Sequence, residues 1–324
     1  MNNTKWRAVT LGAALALVAA GSANSQPFPN KPGRLLVGFA PGGGVDVTAR
    51  ILAGKLSEIW GQHLVVDNRA GAGGTIATDI AAKAPPDGYS LLLCGIWSHG
   101  VAPALYRKLP YDHYRDFAPV SLIGTTPNAL VVNPAVPAKS VSEFISYTKA
   151  SGGKIIVASP GVGSSPHMSM ELFRLTTRID FVHVPYKGSA PALVELLGGH
   201  VQAMFDNMST QLAVIKSGRT RALAVTSPKR SMHLPDVPTM IESGIPVDVT
   251  VWYGLCAPAA VPKPIIAKLN ADLHQALNAP DVQRRLVEQG IDSAPSTPDQ
   301  FAAFIRSETE KWARVVKDAG VPQQ

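Results

Sequence analysis

Short apolar runs and segments with helical periodicity alternate along most of this 324-residue chain. The apolar runs at residues 35–39 and 154–158 are typical of strands. The segments at residues 45–60, 166–176 and 212–217 repeat their apolar positions with the period of a helix. Because strands that alternate with helices usually form βαβ units, the pattern predicts an α/β fold with largely parallel sheets.

Two segments indicate that the chain forms two lobes. Residues 116–133 contain two apolar runs separated by a Gly-Thr-Thr-Pro sequence, which is typical of a crossing between domains. The predicted strand at residues 222–226 can lead the chain back. We therefore expect a discontinuous first lobe of residues 26–124 and 225–324 and a second lobe of residues 125–224. Two crossings would make a hinge, with a ligand cleft between the lobes.

The first residues have the pattern of a targeting segment. Lys5 and Arg7 precede an apolar stretch at residues 8–20, and small residues follow around Ser25. This order predicts a secretory signal peptide of residues 1–25, cleaved near Ser25. No later segment reaches the roughly 18 uninterrupted apolar residues of a membrane span. We therefore expect an exported protein without direct membrane insertion.

The positive charges are distributed along the chain. The formal net charge is +7, but no Lys/Arg cluster with interleaved aromatic residues occurs. Nucleic acid is therefore not an expected partner. A mildly positive field would instead steer small anions toward the protein.

Cys94 and Cys256 lie in apolar, strand-like runs. An exported protein can form a disulfide, but the apolar surroundings favour reading both as buried small hydrophobic side chains. Whether they pair stays open at this point. Because no Cys-x-x-Cys or His-x-x-x-His spacing occurs, we expect neither a metal nor a cofactor.

The glycine-rich segment at residues 38–50 is the first candidate binding feature. It follows a predicted strand and opens a predicted helix, where the first N–H groups have no partner and favour an anion. The segment matches neither the dinucleotide-binding Gly-x-Gly-x-x-Gly motif nor a P-loop, and a plain strand-to-helix turn remains an alternative. Asp46 is expected to cap this helix. The candidate ligand-binding residues are Gly42, Gly43, Gly44, Val45 and Asp46.

Two further glycine loops, at residues 69–74 and 159–165, repeat the arrangement. Ser164 and His167 also raise the possibility of a nucleophile and its base, although the Gly-x-Ser-x-Gly motif of hydrolases is absent. For each loop, a structural turn or helix cap remains the alternative to a binding site. The candidates are Ala72, Gly73 and Gly74 in one loop and Ser159, Gly163, Ser164 and His167 in the other.

Three more candidates follow predicted strands. Trp97 and Ser98 come after the strand that ends at Cys94, and Asp206 comes after a short strand at residues 203–205. Ligands of open α/β sheets bind beyond the carboxyl ends of the strands. These side chains could therefore line the cleft, although Trp97 fits ordinary packing equally well.

Several sequence motifs, in order, resemble the Bug (TctC-like) family of tripartite tricarboxylate transporter substrate-binding proteins. The resemblance covers the chain from about Pro29 to Ala319. The motifs that carry it are residues 39–46, 66–74, 84–89, 105–111, 116–119, 183–188, 196–199, 221–226 and 234–239.

The resemblance implies a two-lobed, type II-like periplasmic-binding-protein fold with two crossover segments. It further implies that a carboxylate is held by backbone N–H groups and ordered waters at Gly42–Gly44 and Ala72–Gly74. Ser159, Gly163, Ser164, His167 and Asp206 would face it from the second lobe. Val45 and Trp97 depart from the polar or smaller residues common in the family, which suggests a more apolar carboxylate ligand, aromatic or smaller.

These observations predict a non-enzymatic periplasmic receptor. It would close over a small carboxylate and present it to membrane transporter subunits or to a sensor protein. The alternatives are a hydrolase that uses Ser164 and His167, and an interaction module without a small ligand. The motifs leave the identity of the carboxylate open.

Overall fold

The computed structural model describes residues 28–318 and 320–323, so the predicted signal peptide lies outside the described residues. The strands of the described chain belong to one sheet. They are β1 (Gly33–Val37), β2 (Leu64–Asn68), β3 (Ser90–Gly95), β4 (Phe117–Val132), β5 (Ile156–Ser159), β6 (Val182–Pro185), β7 (Ala203–Asn207), β8 (Arg221–Val225), β9 (Thr250–Pro258) and β10 (Asp292–Ser293).

Helices follow most of these strands. A short 3-10 turn (Ala72–Gly74) precedes the second helix, and a π-helical turn (Ile96–Val101) precedes the third. The helices are α1 (Gly44–Trp60), α2 (Thr75–Ala82), α3 (Ala102–Leu105), α4 (Val141–Ala150), α5 (Ser165–Thr177), α6 (Ser189–Leu197), α7 (Met208–Lys216), α8 (Lys263–Asn278), α9 (Pro280–Glu288) and α10 (Pro298–Asp318).

The sheet is mixed. Its strand order is β2-β1-β3-β9-β4-β7-β5-β6, and β8 and β10 also pair with β4. β1 is parallel to β2 and β3, and β5 is parallel to β6 and β7, but β4 and β9 are antiparallel to their neighbours. The prediction of largely parallel sheets is therefore wrong at the centre. Parallel neighbours need a crossover connection, whereas β4 and β9 connect the two lobes.

β4 is the predicted crossing, and it is one continuous strand. Its first part, Phe117 to Pro127, pairs with β9, whereas its last part, from Asn128 to Val132, pairs with β7 and β8. The chain returns between β8 and β9, where the Val249 N–H donates to the Thr226 carbonyl at 2.9 Å. The first lobe therefore carries β1–β3, β9 and β10, and the second carries β5–β8. The lobe boundaries near residues 124 and 225 stay a prediction.

Most predicted helices agree with the structure to within one or two residues, but α7 does not. The sequence pattern predicts a helix at residues 212–217, whereas α7 begins at Met208. Met208 and Leu212 are both buried, four residues apart on one helix face. The polar residues between them obscure this spacing in the sequence. The earlier start of α7 places Ser209 and Thr210 in its first turn.

Each lobe has its own apolar layer. In the first lobe, Leu35–Val37 of β1 and Leu91–Leu93 of β3 are almost completely buried, as expected for parallel strands covered on both faces. In the second lobe, Met204, Met208 and Leu212 pack in one cluster with helix α6. None of the helices in the described part of the chain combines the length and the apolarity needed to cross a membrane.

Cys94 and Cys256 form a disulfide between β3 and β9. Both side chains are fully buried, so their predicted burial is confirmed, but the preference for unpaired thiols is wrong. β9 lies beside β3 with Leu92 opposite Cys256 and Cys94 opposite Gly254. The two cysteines are therefore diagonal neighbours on one sheet face. The sequence pattern could not reveal this, because it does not say that β9 returns to β3.

Replacing both cysteines by alanine should lower the free energy of unfolding by about 2–5 kcal/mol, because the disulfide spans 162 residues and restricts the unfolded chain. Urea unfolding of wild type and the Cys94→Ala/Cys256→Ala variant measures the difference. Dithiothreitol should destabilise wild type to a similar degree and leave the variant unchanged. Equal stability of the two proteins without reductant would contradict the prediction.

Candidate functional site

A cavity of about 220 Å³ lies between the two lobes. From the first lobe it is lined by Gly38, Phe39 and residues 71–74, and from the second by residues 160–162 and 185–187. The second predicted glycine loop and part of the third therefore meet across one space. Of the predicted ligand-binding residues, Ala72, Gly73 and Gly74 line this cavity.

The loop at residues 71–74 turns so that its backbone faces the second lobe. Gly73 has a φ of 60°, and a Cβ added there would overlap the Val162 carbonyl oxygen. Gly74 N–H donates to the Gly71 carbonyl at 2.9 Å. Among the described residues, no acceptor is found for the N–H groups of Ala72 and Gly73. These donors lie just before α2, whose N-terminus favours negative charge.

The predicted residues of the first loop do not line the cavity. They form the turn that leads into α1 and the first residues of that helix. The Gly42 N–H donates to Asp46 at 2.9 Å, and Arg50 and Asn68 also donate to this carboxylate at 2.9 Å. Burial opposes ionisation of Asp46, but the hydrogen bonds from Arg50, Gly42 and Asn68 outweigh it and hold its pKa below the usual range. Asp46 lies in the first turn of α1, as expected, but its carboxylate binds the N–H of Gly42, which precedes the N-cap residue Gly43, and no side-chain hydrogen bond caps the helix at Gly43.

The next residues of this loop contact the second lobe. The Gly44 N–H donates to the Thr210 hydroxyl at 2.8 Å. A Cβ on Gly43 would lie 3.3 Å from the Ser189 Cβ, and one on Gly44 would overlap Ser209. Gly43 and Gly44 therefore allow the N-termini of α1, α6 and α7 to approach one another. Val45 is buried behind them.

The third loop is ordered by its own hydrogen bonds. Ser164 donates to the Gly161 carbonyl at 2.6 Å and accepts from the His167 N–H at 3.3 Å. His167 Nδ1 accepts from the Gly163 N–H at 3.3 Å. Burial, aided by His183, lowers the pKa of His167 to about 3. Ser164 thus caps α5, and its hydroxyl is not directed at the His167 ring.

A different serine and histidine are in contact nearby. The Ser159 hydroxyl and His183 Nε2 are 2.8 Å apart, and Ser159 also accepts from the Gly161 N–H at 3.3 Å. Ser159 is completely buried, and the His183 ring stacks on His167 with centroids 5.0 Å apart. Pro160 and Gly161, which directly follow Ser159, line the cavity. This cluster therefore lies behind that wall of the cavity and supports it.

Asp206 is buried inside the second lobe and does not line the cavity. Its carboxylate accepts from Ser189 at 2.6 Å, from the Asn207 N–H at 2.8 Å and from Gln211 at 2.9 Å. Complete burial raises its pKa to about 6, and these three hydrogen bonds only partly offset that effect. Asp206 therefore ties the first turn of α6 to that of α7.

Trp97 and Ser98 do not line the cavity; they lie behind the residues of the first lobe that do. The Trp97 ring contacts Phe39 edge to face with centroids 5.2 Å apart, and it also packs on Tyr253. A Cβ added to Gly74 would lie 2.7 Å from Trp97. The Ser98 hydroxyl is fully buried and hydrogen-bonded within its own turn, to Gly95. Trp97 therefore fixes Phe39 and Gly74, which do line the cavity.

Two contacts between the lobes involve residues that were not predicted. The Tyr106 hydroxyl lies 3.4 Å from both the Ala72 and the Val162 carbonyl oxygens, so it bridges the two walls. On another side, the Ala40 N–H donates to the Lys187 carbonyl at 3.0 Å. Tyr106 lies in the family motif at residues 105–111, which is the one signal that could have identified it.

One group of metal-ligating residue types lies together in the described part of the chain, away from the cavity. Cys94, His99 and Cys256 bring their ligand atoms within 4.8 Å of one another. The disulfide leaves neither sulfur as the thiolate that binds a metal. Burial also lowers the pKa of His99 to about 3. We interpret this group as part of the sheet core.

Two α/β lobes, two crossings and a cavity between the lobes define a two-lobed periplasmic-binding-protein fold. The chain belongs to the tripartite tricarboxylate transporter family of receptors (TctC), whose family model matches residues 48–321. The family consists of solute-binding receptors, and the protein is accordingly not an enzyme. This confirms the expected fold class and the resemblance drawn from the motifs.

Individual relatives agree with this assignment. The chain is 41% identical to protein BugT of Bordetella pertussis over 323 residues, covering 99% of each chain. It is similar to the solved structure of periplasmic binding protein BugD, with a TM-score of 0.89, 36% identity and coverage of 92% of this chain and 100% of BugD. MatC of Rhodopseudomonas palustris, solved with bound malate, gives a TM-score of 0.84, 35% identity and coverage of 89% and 100%.

Asp206 should make the stability of the protein depend on pH. Its pKa rises from 3.8 to about 6 in the folded protein. The folded state therefore holds this proton more tightly, and the resulting stabilisation is complete below pH 3.8 and lost as the pH rises through about 6. Asp206→Asn should remove about 3 kcal/mol of this pH-dependent change.

Urea unfolding of wild type and Asp206→Asn at intervals from pH 4 to 7 measures this effect. As the pH rises across that range, wild type should lose stability relative to Asp206→Asn. The difference between their unfolding free energies should therefore shift in favour of the variant. Asp236→Asn, at an exposed position, is the control and should follow wild type. A constant difference between wild type and Asp206→Asn would contradict the prediction.

Proposed function

We propose that this protein captures a small carboxylate in the cavity between its lobes. The observation that carries the proposal is the loop at residues 71–74, which lines the cavity and offers the N–H groups of Ala72 and Gly73. The carboxylate would bind there directly or through ordered water, beside the N-terminus of α2. The opposite wall, at residues 160–162, would close over it.

In this proposal the remaining candidates support the site in two ways. Gly42, Asp46, Trp97 and Ser98 hold the first-lobe loops in place. Gly43, Gly44 and Val45 form the close contact with the second lobe, while Ser159, Gly163, Ser164, His167 and Asp206 hold the opposing wall. Direct ligand contact is assigned to Ala72, Gly73 and Gly74.

The bound carboxylate would be delivered to the membrane components of a tripartite tricarboxylate-type transporter or presented to a sensor protein. Family membership supports a transport role, and the bound malate of MatC supports a carboxylate ligand. The basic n-region and apolar segment of residues 1–25 support export to the periplasm with cleavage near Ser25.

Thermal unfolding with a panel of carboxylates tests the proposal. The protein is first unfolded and refolded, so that ligand carried through purification is removed. At about one hundred times its Kd, a true ligand should stabilise the folded state by about 2.7 kcal/mol and raise the Tm by several degrees. Unchanged Tm values with every mono-, di- and tricarboxylate would leave the protein as an interaction module without a small ligand.

Gly73→Ala should abolish the ligand-induced rise in Tm while the protein still folds. The added Cβ would meet the Val162 carbonyl and the Gly163 backbone, so the lobes could not close over the ligand. Gly61→Ala is the matched control, because Gly61 has a similar φ of 63° but nothing within 4 Å of the added Cβ. Both variants carry the same backbone strain, and only Gly61→Ala should retain binding. Binding retained by Gly73→Ala would exclude the proposed site.

A further inference from the structure

The cavity offers few groups that could bind a second polar end of a ligand. Among the described residues that line it, Lys187 is the only one with a charged side chain. Lys187 is exposed, and its carbonyl is already bound to the Ala40 N–H. The other lining residues are glycines, prolines, alanine, valine, Phe39 and Tyr186, whose hydroxyl is the other polar side-chain group. The donors of the loop at residues 71–74 are therefore concentrated at one end of a largely apolar space.

Among the described residues that line the cavity, none carries a carboxylate that could pair with a ligand ammonium group. Asp46 is occupied by Gly42, Arg50 and Asn68. Asp206 is completely buried and accepts hydrogen bonds from Ser189, Asn207 and Gln211. An amino acid would have to bury its ammonium without an anionic partner, and desolvation of an unpaired charge is costly.

The apolar wall stands next to the carboxylate donors. A Cβ on Gly74 would lie 3.5 Å from the Phe39 ring, so the ring is adjacent to the loop at residues 71–74. Phe39 is held edge to face by Trp97, which packs in turn on Tyr253. A flat ring attached directly to a carboxylate could therefore stack or pack against Phe39 while its oxygens face the N–H groups.

We propose that the cavity selects small monocarboxylates with an apolar, ring-shaped body, of about the size of benzoate, over amino acids and short dicarboxylates. This inference rests on the proposed function and specifies its ligand class. The cavity of about 220 Å³ is large enough for one such ring acid. Among the described lining residues, the only polar side chains that a second carboxylate would find are the exposed Lys187, where water weakens the interaction, and the neutral hydroxyl of Tyr186.

Isothermal titration of the refolded protein with benzoate, cyclohexanecarboxylate, malate, adipate and glutamate tests the ligand class. Benzoate should bind with a Kd at least tenfold lower than those of malate, adipate and glutamate. Tighter binding of malate or adipate, lost in Lys187→Gln, would overturn the inference and assign Lys187 to a second carboxylate, but would leave the proposed function in place. Tightest binding of glutamate would likewise overturn only the inference. Binding of no acid would overturn both.

Two matched variants test the apolar wall. Phe39→Ala should weaken benzoate binding at least tenfold. Phe304→Ala should leave it unchanged, because Phe304 packs on Trp252 in the same edge-to-face manner, with centroids 5.4 Å apart, but does not line the cavity. If Phe39→Ala does not fold, Phe39→Leu replaces it and should still weaken benzoate binding relative to cyclohexanecarboxylate. Equal benzoate affinity of the Phe39 and Phe304 variants would overturn the inference.

Discussion

The continuity of β4 is the constraint on which the rest of the structure depends. One strand of 16 residues supplies edge-to-edge pairing to both lobes, first with β9 and then with β7 and β8. The register of β4 against β9 shifts twice, between Pro119 and Ser121 and between Leu122 and Gly124 of β4. Such shifts are typical of bulges that bend a strand. Pro127, which has no N–H to donate, stands where β4 exchanges partners. If the lobes move relative to each other, we therefore expect β4 to bend within residues 119–127.

The two lobes approach each other closely at three glycines. Gly73 faces the Val162 carbonyl, Gly44 faces Ser209, and Gly43 faces Ser189. Each glycine stands where a Cβ would meet the other lobe, so small residues set how far the cleft closes. The same closeness lets the Gly44 N–H donate to Thr210 across the interface. The close approach thus gives the Gly44 N–H, at the N-terminus of α1, an acceptor in place of water.

The sequence predicted local elements well because their signals are local. Strand, glycine turn and helix are adjacent in the chain, and the hydrogen bond between Gly42 and Asp46 spans only four residues. The features that were missed depend on distant segments. The disulfide requires that β9 lie beside β3, and Tyr106 matters only because the loops at Ala72 and Val162 meet around it. Asp206 was expected to face the cleft from its place after a strand, but it lies within β7 and accepts hydrogen bonds from Ser189 of α6, from the Asn207 N–H and from Gln211 of α7.

A binding site made of neutral backbone N–H groups suits a receptor that must release its ligand. A buried ion pair is difficult to separate, because removing one partner leaves an unpaired charge in the protein. Backbone N–H groups at the start of a helix stabilise an anion more weakly, through partial charges. In the proposed site, much of the affinity would then come from the walls at Phe39 and Val162, which enclose the ligand only when the lobes are closed. A partner that binds the open form better would therefore lower the affinity for the ligand, and it would do so without titrating or displacing any charged group in the site.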